Sequence, residues 1–382
     1  TILLTTVIVS MITTIIMNKG EQTSLLNRID SKLSSIEQIV DKDYLGEIDE
    51  NKIFDETIKG YVDGLDDEYS QYFTKEELEK YKTDNIEGQF VGIGVYIIQD
   101  TEKNAIRVLA PIKGSPAEKA GILAGDYIVK VEGQSYTGEQ ITEATNKMKG
   151  KEGTKVQIQI IREDETLDVE VERANVRVNP VEADIYEGNI GYLKISSFDQ
   201  GSASEVTKKV EELKAQNIKS LIIDLRNNGG GLVDQALKIA DYITEKDSVL
   251  LYEVDKNGKE EVKKSENDPI ISEPIIILTN ENTASASEIL AGALKDLGKA
   301  TIVGTKTYGK GVIQQILTVK DGSGIKLTVE EYQTPNRNKI NKIGIEPNET
   351  VELPSDVESV LNVPEDKDTQ LQKAQEIANK NQ

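Results

Sequence analysis

Residues 274–288 read PIIILTNENTASASE, an unbroken apolar run, a polar break, and then a stretch in helical order. A short run of Ile and Leu bounded by Pro and Asn is the pattern of a strand buried on both faces, and such strands belong to parallel sheets covered by helices. On either side of it, SLIIDL (220–225) and ATIVGT (300–305) are two more apolar strands, and IGYLKISSF (190–198) is a fourth. Helical patterns separate them over SEVTKKVEELKAQ (204–216), Leu232 to Ile243, and about Ser285 to Leu297. The alternation predicts an α/β domain over 176–355 with its ligand site at the C-terminal ends of the strands.

Two strand ends carry unusual residues. After SLIIDL comes Arg226-Asn227-Asn228-Gly229-Gly230-Gly231, whose glycine amides face a helix N-terminus and suit an oxyanion. Neither Gly-Lys-Ser/Thr nor GxGxxG is present, so this is no phosphate loop of those kinds. After PIIILTN, Ser285 stands at a strand-to-helix elbow, where the helix dipole favours an alkoxide. Ser285-Ala286-Ser287-Glu288 equally fits a capping box, which needs no chemistry, and Ser287 reads as a first-turn helix residue. Lys310 sits between Gly309 and Gly311 ahead of a strand, and period-two counting puts Lys310, Val312, Gln314 and Ile316 on one face. By itself Gly-Lys-Gly is an ordinary solvated turn. To act as a base, Lys310 must be held well below its usual value near 10.4, and burial has to supply that.

Composition narrows the chemistry. The 382 residues contain no His and no Cys, which removes Ser-His-Asp triads, thiol nucleophiles, disulfides and the usual zinc sites. A net charge of −22 disfavours nucleic acid as a partner. Residues 1–17, TILLTTVIVSMITTIIM, are apolar throughout and predict a membrane anchor over 1–18, with a cleaved signal segment as the alternative. The bulk of the chain is then expected on the outer face of a cell membrane. Residues 20–85 show helical periodicity (Leu25, Ile29, Leu33, Ile36, Val40; then Ile53, Ile58, Tyr61, Val62, Leu65) and predict a small helical unit. The first stretch also reads as a short coiled-coil seam through which a homodimer would form. Residues 356–382 read as a polar helix or frayed tail.

From 86 to 175 the pattern shifts to short strands broken by glycines. Gly92-Ile93-Gly94-Val95, Ser115-Pro116-Ala117-Glu118-Lys119-Ala120-Gly121 and Gly125-Asp126 together resemble a PDZ domain. That resemblance implies capture of a peptide C-terminus as an added strand, its carboxylate held by the amides of Gly92, Ile93, Gly94 and Val95.

The chain as a whole resembles the bacterial carboxyl-terminal processing proteases. The likeness is carried by Gly64-Leu65-Asp66 through Tyr69-Ser70, the PDZ segment, Asp224 to Gly231, Thr283-Ala-Ser-Ala-Ser-Glu288, Gly309-Lys-Gly311 with Gln314, and Gly344-Ile345-Glu346-Pro347. It implies a crotonase/ClpP-like protease core, Ser285 as nucleophile, Lys310 as base and Gln314 as the lysine's support. It also implies an oxyanion hole from the amides of Gly230 and Ala286, with no metal or cofactor, and protein substrates recognised by their C-terminal tails. Many relatives have proline before the glycine pair where this chain has Asn-Asn-Gly-Gly-Gly, leaving Gly229 as a rival to Gly230. The alternative function is a membrane-anchored PDZ scaffold with an inactive protease-like domain.

Overall fold

The computed structural model describes residues 24–357 and 363–380, in two compact units, Thr1–Ile58 and Lys59–Gln382. In the first, Ser24 caps the helix Leu25–Asp43 by accepting the Asn27 N–H at 3.3 Å, and the apolar stripe of Leu25, Leu33 and Ile36 is exposed. The expected membrane segment over 1–18 lies outside the described residues. Among the described residues no helix is long and apolar enough to cross a bilayer.

The helical unit expected over 20–85 is divided, because the boundary falls inside the helix Glu50–Asp63. Residues 59–85 belong to the large unit. There the strand Gln71–Phe73 pairs antiparallel with residues 324–326, a partner so distant along the chain that local periodicity does not reveal it.

The PDZ-like part is entered and left through two antiparallel strands, Gln89–Gly92 and Ala174–Arg177. Between them a sheet runs in the order Val95–Asp100, Ala105–Pro111, Tyr127–Val131, Lys155–Arg162, Glu165–Glu172. The alternating Ile106, Val108, Ile128, Val156 and Ile160 point inward and form its core with Ala144 and Met148 of the helix Ile141–Met148.

The α/β part is a six-stranded sheet in the order Val181–Tyr186, Ile190–Ile195, Ser220–Asp224, Ile275–Thr279, Ala300–Gly304, Glu349–Thr350. The first pair is antiparallel and the rest are parallel. Side-chain alternation sorts the core. Leu221, Ile223, Ile275 and Ile277 face the helices Ser202–Lys214, Val233–Asp241 and Ala286–Asp296, while Ile222, Ile276 and Leu278 face the opposite side.

That opposite side is covered by the helix Thr369–Lys380, through Leu371, Ala374 and Ala378. The C-terminal segment is therefore a layer of the fold rather than a frayed tail. Ahead of it, Asp368 joins Asp224 in sandwiching the largely buried Arg226, whose guanidinium reaches Asp224 at 2.6 Å and Asp368 at 2.8 Å. A second, antiparallel sheet contains Gly324–Gln333, paired with Gln71–Phe73, Val249–Asp255 and Val312–Thr318.

Candidate active site

The strand Ile275–Thr279 ends in a turn closed by Asn280 N–H donating to Thr283 Oγ1 at 2.9 Å, and the chain enters the helix Ala286–Asp296 at Ser285. Ser285 has φ 57° and ψ −119°, outside the extended region that capping serines adopt. Such a conformation costs a β-carbon residue of order 1–3 kcal/mol and presents the hydroxyl off the helix end. Of the expected capping box the Glu288 half forms, its carboxylate taking the Ser285 N–H at 2.9 Å, whereas the Glu288 N–H goes to the Ser285 carbonyl at 2.8 Å and leaves the hydroxyl out; Ser287, by contrast, donates its hydroxyl to the Asn228 carbonyl at 2.9 Å.

The glycine turn lies directly against this elbow. Gly230 has φ +101°, and a β-carbon there would stand 2.7 Å from the Ala284 carbonyl and 2.8 Å from Ser285 Cβ, so only glycine fits. Fully buried Asn228 stitches the two loops together: its carbonyl accepts the Ala284 N–H at 3.0 Å, and its Nδ2 donates to Ile195 O at 2.8 Å. Its Oδ1 accepts the Gly230 N–H at 2.9 Å. Of the two amides the resemblance assigns to the oxyanion hole, Gly230 is thus engaged within its own loop. Ala286, at the first position of the helix, makes no N–H bond among the described residues.

Lys310 precedes the strand Val312–Thr318, which carries a bulge between Ile313 and Gln314. The bulge interrupts strict period-two counting, yet Lys310, Gln314 and Ser285 all line one groove of about 650 Å³ with Gly229 to Asp234. Within it the three are not hydrogen-bonded to one another. The Lys310 ammonium stands over the Tyr69 ring, 4.4 Å from its centroid, and Gln314 Nε2 donates to Thr328 Oγ1 at 3.2 Å. Lys310 is half-buried. Desolvation, followed by the charge of Lys326, holds it below the ordinary lysine value, against the opposing pull of Glu68 and Asp67.

Glu288, which the sequence marked only as a capping residue and part of the family motif, and Tyr332, which it did not mark, hold the elbow and the lysine turn together. Glu288, fully buried, receives the Ser285 and Lys310 N–H groups on Oε2 at 2.9 and 2.8 Å, and the Gly309 N–H and Thr307 hydroxyl on Oε1 at 2.8 and 2.5 Å. Burial pushes its carboxyl up, and these donors oppose that push. Tyr332, equally buried, donates its hydroxyl to the Lys310 and Ser285 carbonyls, at 2.5 and 3.1 Å. The Gly344-Ile345 motif backs the turn, where the Ile345 N–H donates to Thr307 Oγ1 at 2.7 Å.

The groove also holds one acid with an unpaired oxygen. Asp199 is 4% exposed and its Oδ1 has no hydrogen-bond partner among the described residues. Burial pushes its carboxyl up to about 6, against the pull of Arg177. Among the described residues no cluster of acidic side chains is arranged to hold a metal ion.

In the PDZ-like part, Gly92 ends its strand, Ile93 is buried, and Gly94 (φ +77°) packs against Ser115. The Ile93 and Gly94 carbonyls are taken by the Ala117 and Ile112 N–H groups, at 2.8 and 3.0 Å. Val95 opens the strand Val95–Asp100, which among the described residues pairs on one side only.

Residues 189–351 match Peptidase family S41, and residues 107–162 match the PDZ domain. The chain is 36% identical over 324 residues to the carboxy-terminal processing protease CtpA of Bacillus subtilis, covering 85% of this chain and 69% of that protein. It is 36% identical over 341 residues to a CtpA-like serine protease of Staphylococcus aureus, covering 88% and 67%. Among solved structures, the photosystem II D1 C-terminal processing protease superposes with a TM-score of 0.52 at 30% identity, over 85% of this chain and 89% of that one. An S41 protease from Bacteroides fragilis shares the fold at a TM-score of 0.59 and 17% identity, over 88% and 90%. With a PDZ domain ahead of an α/β protease core and this identity to CtpA over most of its length, the chain belongs to the carboxy-terminal processing proteases of peptidase family S41, which are serine-type peptidases.

Proposed function

We propose that the chain cleaves proteins by a Ser-Lys mechanism after capturing their C-terminal tails. The observation that carries this reading is the convergence of Ser285, Lys310 and Gln314 on one groove against the glycine turn, in a chain with no histidine. Neutral Lys310 takes the Ser285 hydroxyl proton as Oγ attacks the peptide carbonyl. The ammonium then gives that proton to the departing amine, and water, deprotonated by Lys310 in turn, releases the acyl group. The oxyanion faces the Ala286 N–H, joined by Gly230 once that amide leaves Asn228. To act, the lysine must swing from the Tyr69 face toward Ser285. The other edge of Val95–Asp100 and the Gly92 to Val95 amides would take the substrate tail as an added strand. Residues 1–17 would tether the enzyme to the cell membrane with its catalytic part outside, which fractionation of cells producing the full chain tests.

Ser285→Ala and Lys310→Ala are each expected to abolish cleavage of an unstructured tail while leaving the melting temperature within a few degrees. A boronate or fluorophosphonate probe is expected to label the wild type and not the Lys310→Ala protein. Normal turnover by purified Ser285→Ala would overturn the assignment. Equal cleavage of peptides differing only in their last three residues would overturn tail capture.

A further inference from the structure

The turn Asp67–Ser70 belongs to the motif that carries the family likeness, and the Ser-Lys reaction gives it no task. Its strand, Gln71–Phe73, pairs with residues 324–326 and so delivers the turn beside Thr328. There Ser70 Oγ accepts the Thr328 N–H at 3.1 Å and donates to Asp67 Oδ2 at 2.5 Å. The Thr328 side chain lies close enough to Asp67 to be one of the influences that lower its carboxyl. Although burial works to raise Asp67, these side-chain donors and the backbone N–H groups of Tyr69 and Ser70 hold it below the usual carboxylate value.

An ionised carboxylate only accepts, and that fixes the direction of every bond leading away from it. Thr328 Oγ1 accepts from Gln314 Nε2 at 3.2 Å, so its own proton points elsewhere, and the lowered Asp67 carboxylate is the acceptor that draws it. The Gln314 amide is thereby oriented, with nitrogen on Thr328 and carbonyl Oε1 turned away. Reversed, the amide would present two N–H donors to the ammonium of Lys310. The same turn reaches Lys310 directly, since Tyr69 lies under its Nζ.

We propose that Asp67 and Thr328 are positioning residues for the base: they lock the Gln314 amide so that Oε1 accepts an N–H of Lys310 and aims the amine's lone pair at Ser285. This role rests on the Ser-Lys reading of the groove.

A double-mutant cycle tests it. Thr328→Val is expected to lower kcat about 10- to 100-fold, the scale of a misplaced reacting group, with KM unchanged. Thr328→Ser should restore the rate. In a Gln314→Ala background Thr328→Val should cause no further loss, because its effect passes through the amide. Asp67→Asn, which offers Thr328 an NH2 and reverses the chain of donors, should give the same loss once kcat is read on each variant's high-pH plateau, where the loss of the Asp67 charge beside Lys310 no longer counts, and it replaces Thr328→Val in the cycle if that variant does not melt cooperatively. An unchanged kcat, or losses that multiply in the double variant, overturns the proposal. If Lys310→Ala is inactive while these variants work normally, the positioning role alone fails. Activity in Lys310→Ala sinks the Ser-Lys reading as well.

Discussion

The backbone N–H groups of Ser285 and Lys310 point at the same oxygen, Oε2 of Glu288, at 2.9 and 2.8 Å. Two loops from different strand ends are thus referred to one buried atom. A carboxylate with four donors and no cation beside it is well suited to this, because each donor satisfies it and is itself satisfied. Glu288→Gln keeps the volume but turns an NH2 toward facing donors. It is expected to destabilise the fold by about 1–3 kcal/mol and to lower kcat more than it changes KM. Denaturant unfolding and steady-state kinetics check this, and unchanged kcat in a folded variant would contradict it.

Tyr332 performs the complementary task on the carbonyl side of the same two residues. Tyr332→Phe removes only the hydroxyl, leaving two carbonyls short of a donor. About 1–3 kcal/mol of stability should be lost, and reactivity toward an active-site serine probe should fall at constant probe affinity. A labelling rate equal to the wild type would show that the hydroxyl is merely structural.

Lys310 is depressed first by desolvation and next by Lys326. Activity should therefore rise with pH as the ammonium loses its proton, below the pH an exposed lysine would require. Lys326→Met removes the second influence, making protonated Lys310 easier to sustain. The ascending limb of the kcat/KM profile is expected to move to higher pH, and movement to lower pH would refute the assignment.

Asp199 titrates near 6 in the fold, against 3.8 unfolded. Between those values the folded state holds more protons, so stability attributable to this group is present at low pH and is lost as pH rises through about 6. The gap corresponds to about 3 kcal/mol. Asp199→Asn should be more stable than the wild type at pH 8 and lose that advantage near pH 4, as followed by thermal melts. An advantage independent of pH would mean the gain has another source.

Arg226 lies between Asp224 and Asp368. Arg226→Leu leaves two buried carboxylates facing each other, and a loss of about 3–5 kcal/mol is expected in chemical denaturation. A loss below about 1 kcal/mol would show the ion triad to be dispensable.

The apolar strands 220–225 and 275–279 were readable because burial on both faces leaves an uninterrupted run of Leu and Ile. Ser285 and Lys310 were singled out together only through the resemblance to the carboxyl-terminal processing proteases, the absence of His and Cys having narrowed the chemistry, and both line one groove. What binds them was not. Glu288 looks like a capping residue in one dimension, since its other donors come from a turn 19 to 22 positions away. Tyr332, Asp67 and Thr328 act through strand pairings set by tertiary structure. The C-terminal helix reads as polar because only a narrow stripe, Leu371, Ala374 and Ala378, meets the sheet. Gly230 was marked only as a loop glycine whose amide suits an oxyanion, and the occupation of that N–H by Asn228 depends on how the loop closes.

The ion triad at Arg226 also joins an early part of the chain to a late one. Arg226 opens the glycine loop that faces Ser285, and its second partner, Asp368, is made 142 residues later. A growing chain already carries nucleophile, base and PDZ domain outside the ribosomal exit tunnel while residues 368–380 are still inside it. At that stage the loop arginine lacks one of its counter-charges and the sheet lacks the helix that covers its second face. The glycine loop's ion triad and the second covered face of the sheet are therefore the last parts of the fold to be completed as the chain is made.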